Sequence, residues 1–155
     1  MKRAMFLLLA LVALLVSCQK ETPHVTSLEG EAERVMASIG GKERFLVADE
    51  DFVTSNFATT VTPLSATVCF LREGAGEFGL FLLPDGKSAA AQLLVVEAYL
   101  QTEGEALRSL AALYPTGELE ARLSLYEKAL VGKKGALVYY FALPTAEAER
   151  AIAAL

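Results

Sequence analysis

From Ser27 onward the apolar positions fall at helical spacing: Leu28, Ala32, Val35, Met36 and Ile39 share one face, and Gly40 and Gly41 stop the run. A second short helix is predicted from about Asp49 to Asn56, with Asp49, Glu50 and Asp51 where acids favour a first turn. The pattern then changes. Leu64 to Leu71 and Glu77 to Leu83 read as strands, and the glycine-containing link Arg72-Glu73-Gly74-Ala75-Gly76 makes them a hairpin. After Pro84, with Asp85 as N-cap, a long helix is predicted from about Lys87 to Leu113, its buried stripe being Leu93, Val96, Leu100, Leu107, Leu110 and Tyr114. Gly104 weakens that helix by about 1 kcal/mol relative to alanine, and Pro115 and Gly117 end it. Two further strands, Leu123 to Val131 and Ala136 to Leu143, are joined by Gly132, Lys133, Lys134 and Gly135, and Pro144-Thr145 starts a terminal helix to Leu155.

Hairpins force antiparallel neighbours. The order therefore predicts an α+β two-layer sandwich: a four-stranded antiparallel sheet built from two hairpins, the long helix packed on one face, and helices at both termini. Leu80 to Leu83 and Leu137 to Leu143 are apolar on both faces rather than alternating, so the second face needs a cover. The N-terminal helices are the first candidate. Otherwise a protein partner or a second copy of the chain takes the open sheet face.

The segment before Ser27 has a different pattern. Lys2 and Arg3 precede 13 uninterrupted apolar residues, Ala4 to Val16, and Ser17 and Cys18 follow. As a helix this stretch would reach about 20 Å, short of a hydrocarbon core of about 30 Å, so it reads as a removable signal and not as a membrane span. Leu15-Val16-Ser17-Cys18 resembles the bacterial lipobox. That resemblance implies a diacylglyceryl group on the Cys18 thiol, cleavage on its N-terminal side, and membrane lipid as the first partner. Two acyl chains suffice for stable anchoring, at about 0.8 kcal/mol per buried methylene. Residues 1–17 are then a signal peptide, residues 18–26 a lipidated cysteine and polar tether, and residues 27–155 one domain held on the extracytoplasmic side of the membrane.

Composition narrows the function classes. The chain has 155 residues, of which 54% are hydrophobic, with 14 Lys and Arg against 19 Asp and Glu and a net charge of -5. No basic surplus exists to neutralise a phosphate backbone, so nucleic acid is excluded as a partner. Cleavage before Cys18 would leave 138 residues with 12 basic and 19 acidic side chains. Such a body is repelled by an anionic surface, so lipid and not charge must hold it there. Two cysteines cannot form a disulfide framework, and a single histidine cannot supply a multi-histidine metal site. Cys69 reads as a small buried hydrophobe in a strand, with only Arg72 nearby to activate it. His24 lies on the tether, where nothing fixes the geometry that catalysis needs.

Several motifs imitate chemistry. Gly74, Gly76 and Gly79 spell G-x-G-x-x-G, but the third glycine falls inside a strand and not at a helix start, so a flexible hairpin explains them. Gly86-Lys87-Ser88 opens a helix, yet Phe81 stands where a phosphate loop needs its first glycine. The side chains of Asp49, Glu50 and Asp51 diverge, and no D-x-D-x-D-G pattern follows. There is no G-x-S-x-G elbow. Tyr126, Tyr139, Tyr140 and Phe141 make the last hairpin aromatic, as core on one face or as a ligand platform on the other, with core favoured.

From Val35 to Ala153 the chain resembles an uncharacterised family of small lipoproteins of Gram-positive bacteria, a domain of unknown function. The resemblance rests on Asp49-Glu50-Asp51, the glycine-linked strand pair before Glu77, Asp85-Gly86-Lys87, Tyr114-Pro115, and the turn Gly132 to Gly135 before Tyr139-Tyr140. It implies a shared fold and no catalytic residue. The expected function is a membrane-anchored, non-catalytic binding or interaction module, with Cys18 as its lipid-attachment site and no cofactor or metal assigned. The alternative is a small cell-envelope hydrolase with carboxylates such as Glu77 or Asp85 as acid and base, which requires two carboxylates facing a cleft about 5 to 10 Å apart. A transporter's substrate-binding lipoprotein needs two domains closing on a ligand, and this chain makes one.

Overall fold

A computed structural model describes residues 27–155; Cys18, His24, the leader and the tether lie outside them. The elements in chain order are α1 (Leu28–Ser38), a 3-10 turn (Lys42–Arg44), β1 (Phe45–Val47), α2 (Glu50–Phe57), β2 (Ser65–Leu71), β3 (Glu77–Leu82), α3 (Gly86–Leu113), α4 (Gly117–Glu127), β4 (Leu130–Lys134), β5 (Leu137–Ala142) and α5 (Thr145–Ala154). The chain is α+β, with one antiparallel sheet in the order β1-β2-β3-β5-β4.

Each cap is local chemistry. Ser27 accepts from Gly30 N–H, Asp49 from Phe52 N–H, Asp85 from Ser88 N–H and Thr116 from Leu119 N–H, satisfying amides that a helix start leaves without partners. The predicted α1, α2, α3 and α5 form within a few residues of their expected limits.

Three expectations are corrected. The sheet has five strands and not four: β1, three residues long, pairs with Cys69 to Leu71 of β2 and is too short to leave a periodic signal. The segment expected as the strand Leu123 to Val131 is mostly helix. Thr116 caps it, Glu118 and Glu120 occupy its first turn, and Leu119, Leu123 and Tyr126 face inward at helical spacing. Strand β4 starts only at Leu130, and Gly132 to Lys134, expected as a turn, belong to it. The turn is Gly135-Ala136, with Gly135 at φ 63°.

The third correction concerns the layers. Helices cover both sheet faces, so the molecule has three layers and neither face is left open. On one face α1 and α5 pack Leu28, Val35, Met36, Ala148 and Ala151 over Phe45, Cys69, Phe78, Leu80 and Phe141. On the other, α2, α3 and α4 bring Phe57, Val96, Leu107 and Tyr126 against Val68, Phe81, Val138 and Tyr140. This double cover is why β3 and β5 lack polar alternation. An ion pair of 3.4 Å between Arg44 and Glu147 ties the 3-10 turn to α5.

Helix α3, at 28 residues, is about 42 Å long, roughly twice the reach of the strands beneath it. Its first half lies on the sheet and its last turns run past the edge, where Arg108 bonds Glu127 of α4 at 2.9 Å. Leu110 and Tyr114, expected in the buried stripe, are exposed for this reason, with Tyr114 at 64%.

Candidate functional site

A cleft of about 400 Å³ lies between α2, the segment after it and the edge of β2. Val53, Phe57, Ala58, Pro63 and Ala66 supply an apolar lining, Thr54, Thr59 and Thr62 bring hydroxyls, and Asp49 and Glu50 stand at its rim. Its volume lies within the range of small-molecule pockets. Local chemistry fixes its walls. Asp49 caps α2 through a 2.8 Å bond from Phe52 N–H, and Asn56 Nδ2 donates to Phe52 C=O at 2.9 Å. Thr59 Oγ1 donates to Val61 C=O at 2.6 Å and folds the segment that leads back to β2. Phe57 is held from below by Phe81, Tyr99 and Tyr140, with ring centroids 4.9, 4.5 and 5.8 Å away.

A second constellation lies under α3 and α4. Glu77, the first residue of β3, is only 2% exposed. Tyr140 Oη donates to one carboxylate oxygen at 2.8 Å and Tyr126 Oη to the other at 2.9 Å. Burial pushes the Glu77 carboxyl above its ordinary range; the tyrosine hydroxyls pull it back in part, and nearby Glu103 adds to the rise. Burial and the same carboxylate push the Tyr99, Tyr126 and Tyr140 hydroxyls upward. Both acceptor oxygens are occupied and solvent is excluded, so the cluster fastens α4 to the sheet.

Glu77 and Asp85, each considered as a carboxylate for hydrolysis, do not come together. Asp85 follows the other end of β3 and caps α3, accepting from Ser88 N–H at 2.7 Å, a bond that holds its carboxyl below the ordinary range. The strand between them spans about 17 Å, beyond the separation at which two carboxylates share a glycosidic bond. Asp49, Glu50 and Asp51 open α2, and the described residues contain no group of three or more metal-binding side chains. Gly74 and Gly76, at φ 85° and 138°, make the β2–β3 loop. Gly79 lies opposite Tyr140, and a Cβ on it would overlap the tyrosine ring. Gly86, Lys87 and Ser88 are the first turn of α3. Cys69 is buried, and that burial pushes its thiol up to about 11.

Sequence reasoning missed both the cleft and the tyrosine-held carboxylate. The second left a signal: Glu77 is the one charged residue of an otherwise apolar strand, Glu-Phe-Gly-Leu-Phe-Leu. The first left a fainter one in Thr59, Thr60, Thr62 and Pro63, a polar stretch too long for a tight turn.

No family model, no curated protein and no solved structure matches the chain. Among the described residues no helix is long and apolar enough to cross a membrane.

Proposed function

We propose that the protein is a lipid-anchored extracytoplasmic module whose task is binding and not catalysis. Cys18 carries the diacylglyceryl anchor and the cleft between α2 and β2 holds the ligand. The address is supported by the register of charge, apolar stretch, small residue and cysteine from Lys2 to Cys18. The binding role is carried by one observation: the cleft joins an apolar lining to hydroxyl and carboxylate groups in a space of small-ligand size. The hydrolase reading has lost its named carboxylates, since Glu77 is sealed by tyrosines and Asp85 is a helix cap. With both sheet faces covered by helices, the open sheet face expected as a partner surface is not present among the described residues.

The test is a nuclear magnetic resonance screen of small fragments against the isotopically labelled protein. Fragments that shift the amides of Val53, Ala58 and Ala66 together support the reading. A screen whose binders all map elsewhere contradicts it. Replacement of Cys18 by alanine tests the address, with loss of membrane retention and of leader processing expected.

A further inference from the structure

Strand β1 runs out before its partner does. The register pairs Phe45 with Leu71 and Val47 with Cys69, and Ala48 N–H donates to Val68 C=O at 2.8 Å. The chain then turns into α2. Ser65 to Thr67 of β2 are consequently paired with β3 on one side only. Backbone groups of alternate residues in an antiparallel ladder point the same way. Val68 and Arg72 bond toward β1, so Ala66 presents its N–H and C=O in that direction too, and no described residue is bonded to them. Had β1 continued in register, position 50 would face Ala66, but Glu50 is already helical.

Ala66 lines the cleft. The opening therefore offers a donor and an acceptor on one strand edge, apolar walls from Val53 and Phe57, and an acidic rim from Asp49 and Glu50, with no Lys or Arg among its lining residues. Charged side chains stand along parts of the other edges. Outer strand β4 carries Lys133 and Lys134, and the outward carbonyl of Phe45 in β1 accepts from Arg72 Nε at 3.0 Å.

We infer that the cleft takes a short extended peptide segment of a partner protein, added antiparallel to β2 where β1 leaves off. Its backbone bonds Ala66, an aliphatic side chain enters between Val53 and Phe57, and a lysine or arginine lies toward Asp49 and Glu50. This rests on the cleft being the binding site and narrows its ligand to one class. The edge supplies affinity through main-chain bonds, while the pocket and the rim select side chains.

The probe is the blocked peptide acetyl-Thr-Val-Lys-Val-Thr-amide, with a counterpart carrying glutamine for lysine, titrated into the labelled full-length chain in detergent micelles. The expected result is a slowing of Ala66 amide exchange by about tenfold or more at saturation, as a new backbone bond protects it. Ala58 is exposed at the cleft mouth, so Ala58→Trp should block binding while the fold is kept. The double substitution Asp49→Asn and Glu50→Gln keeps a good N-cap; it should weaken the lysine peptide severalfold and leave the glutamine peptide unchanged. Ala66 exchange that ignores saturating peptide overturns the inference. So does concentration-dependent perturbation of the same residues without peptide, which assigns the edge to a second copy of the chain. Fragments that bind the cleft where both peptides fail would retain the binding role and remove the peptide.

Discussion

Gly79 and Gly104 have opposite consequences for packing on the same face of the sheet. A methyl group on Gly79 would overlap the ring of Tyr140, its cross-strand neighbour, whereas one on Gly104 would meet nothing within 4 Å. Gly79→Ala should therefore cost about 1 to 3 kcal/mol by overpacking, and Gly104→Ala should gain about 0.5 to 1 kcal/mol through helix propensity. Urea unfolding of both variants checks the pair. Glu77 adds a pH signature. Its folded carboxyl titrates above the ordinary 4.5, so between those two values the unfolded chain releases a proton that the folded chain keeps. Stability then falls as pH climbs through this window and is level above it. Glu77→Gln, which never ionises, should lose that decline, measured by urea unfolding from about pH 4 to about pH 8; a decline unchanged in the variant would place its origin elsewhere. Glu77→Leu leaves the Tyr126 and Tyr140 hydroxyls without their acceptor and should cost about 2 to 3 kcal/mol. At this scale the sequence was partly legible. Asp85 as a cap and Cys69 as core could be read from neighbours along the chain, but the tyrosines around Glu77 are 49 and 63 positions away and meet it only through the fold.

Among the elements, those with a strong period or a clear cap were legible, and those set by tertiary context were not. The α1 stripe and the glycine-linked β2–β3 hairpin declared themselves locally. Helix α4 did not: Gly117 ends α3 so naturally that its place as the first residue of the next helix is hidden, and Leu123 and Leu125 alternate like a strand. The overhang of α3 was likewise invisible, because a hydrophobic stripe does not say where the sheet beneath it stops. Hydrogen exchange should expose that limit. Amides of β3 and β5, covered on both faces, should open only with global unfolding, whereas those in the last turn of α3, around Leu113 at 73% exposure, should exchange faster than those in its middle turns. Uniform protection along α3 would contradict the overhang.

The whole molecule combines an expected lipid attachment at Cys18 with a three-layer domain whose α2–β2 cleft lies beside an unpaired stretch of strand edge. Fold class was within reach of the sequence because glycine-containing hairpin links between apolar runs specify an antiparallel sheet, and the helical periods place helices around it. The number of layers was not, since apolar character on both faces of β3 and β5 states only that a cover exists and not what supplies it. The cleft was less accessible still: it forms where β1 turns away, and that departure depends on the pairing of Phe45–Val47 with residues more than 20 positions downstream. Charge bears on the proposed arrangement: the acidic surplus of the chain gives its body no attraction to an anionic bilayer, so a membrane address would rest on the lipid alone. Intact-mass measurement of the protein extracted from membranes tests this most directly. The expected result is a chain beginning at Cys18 whose thiol bears a diacylglyceryl group; a chain that still begins at Met1, or a Cys18 with a free thiol, would contradict it.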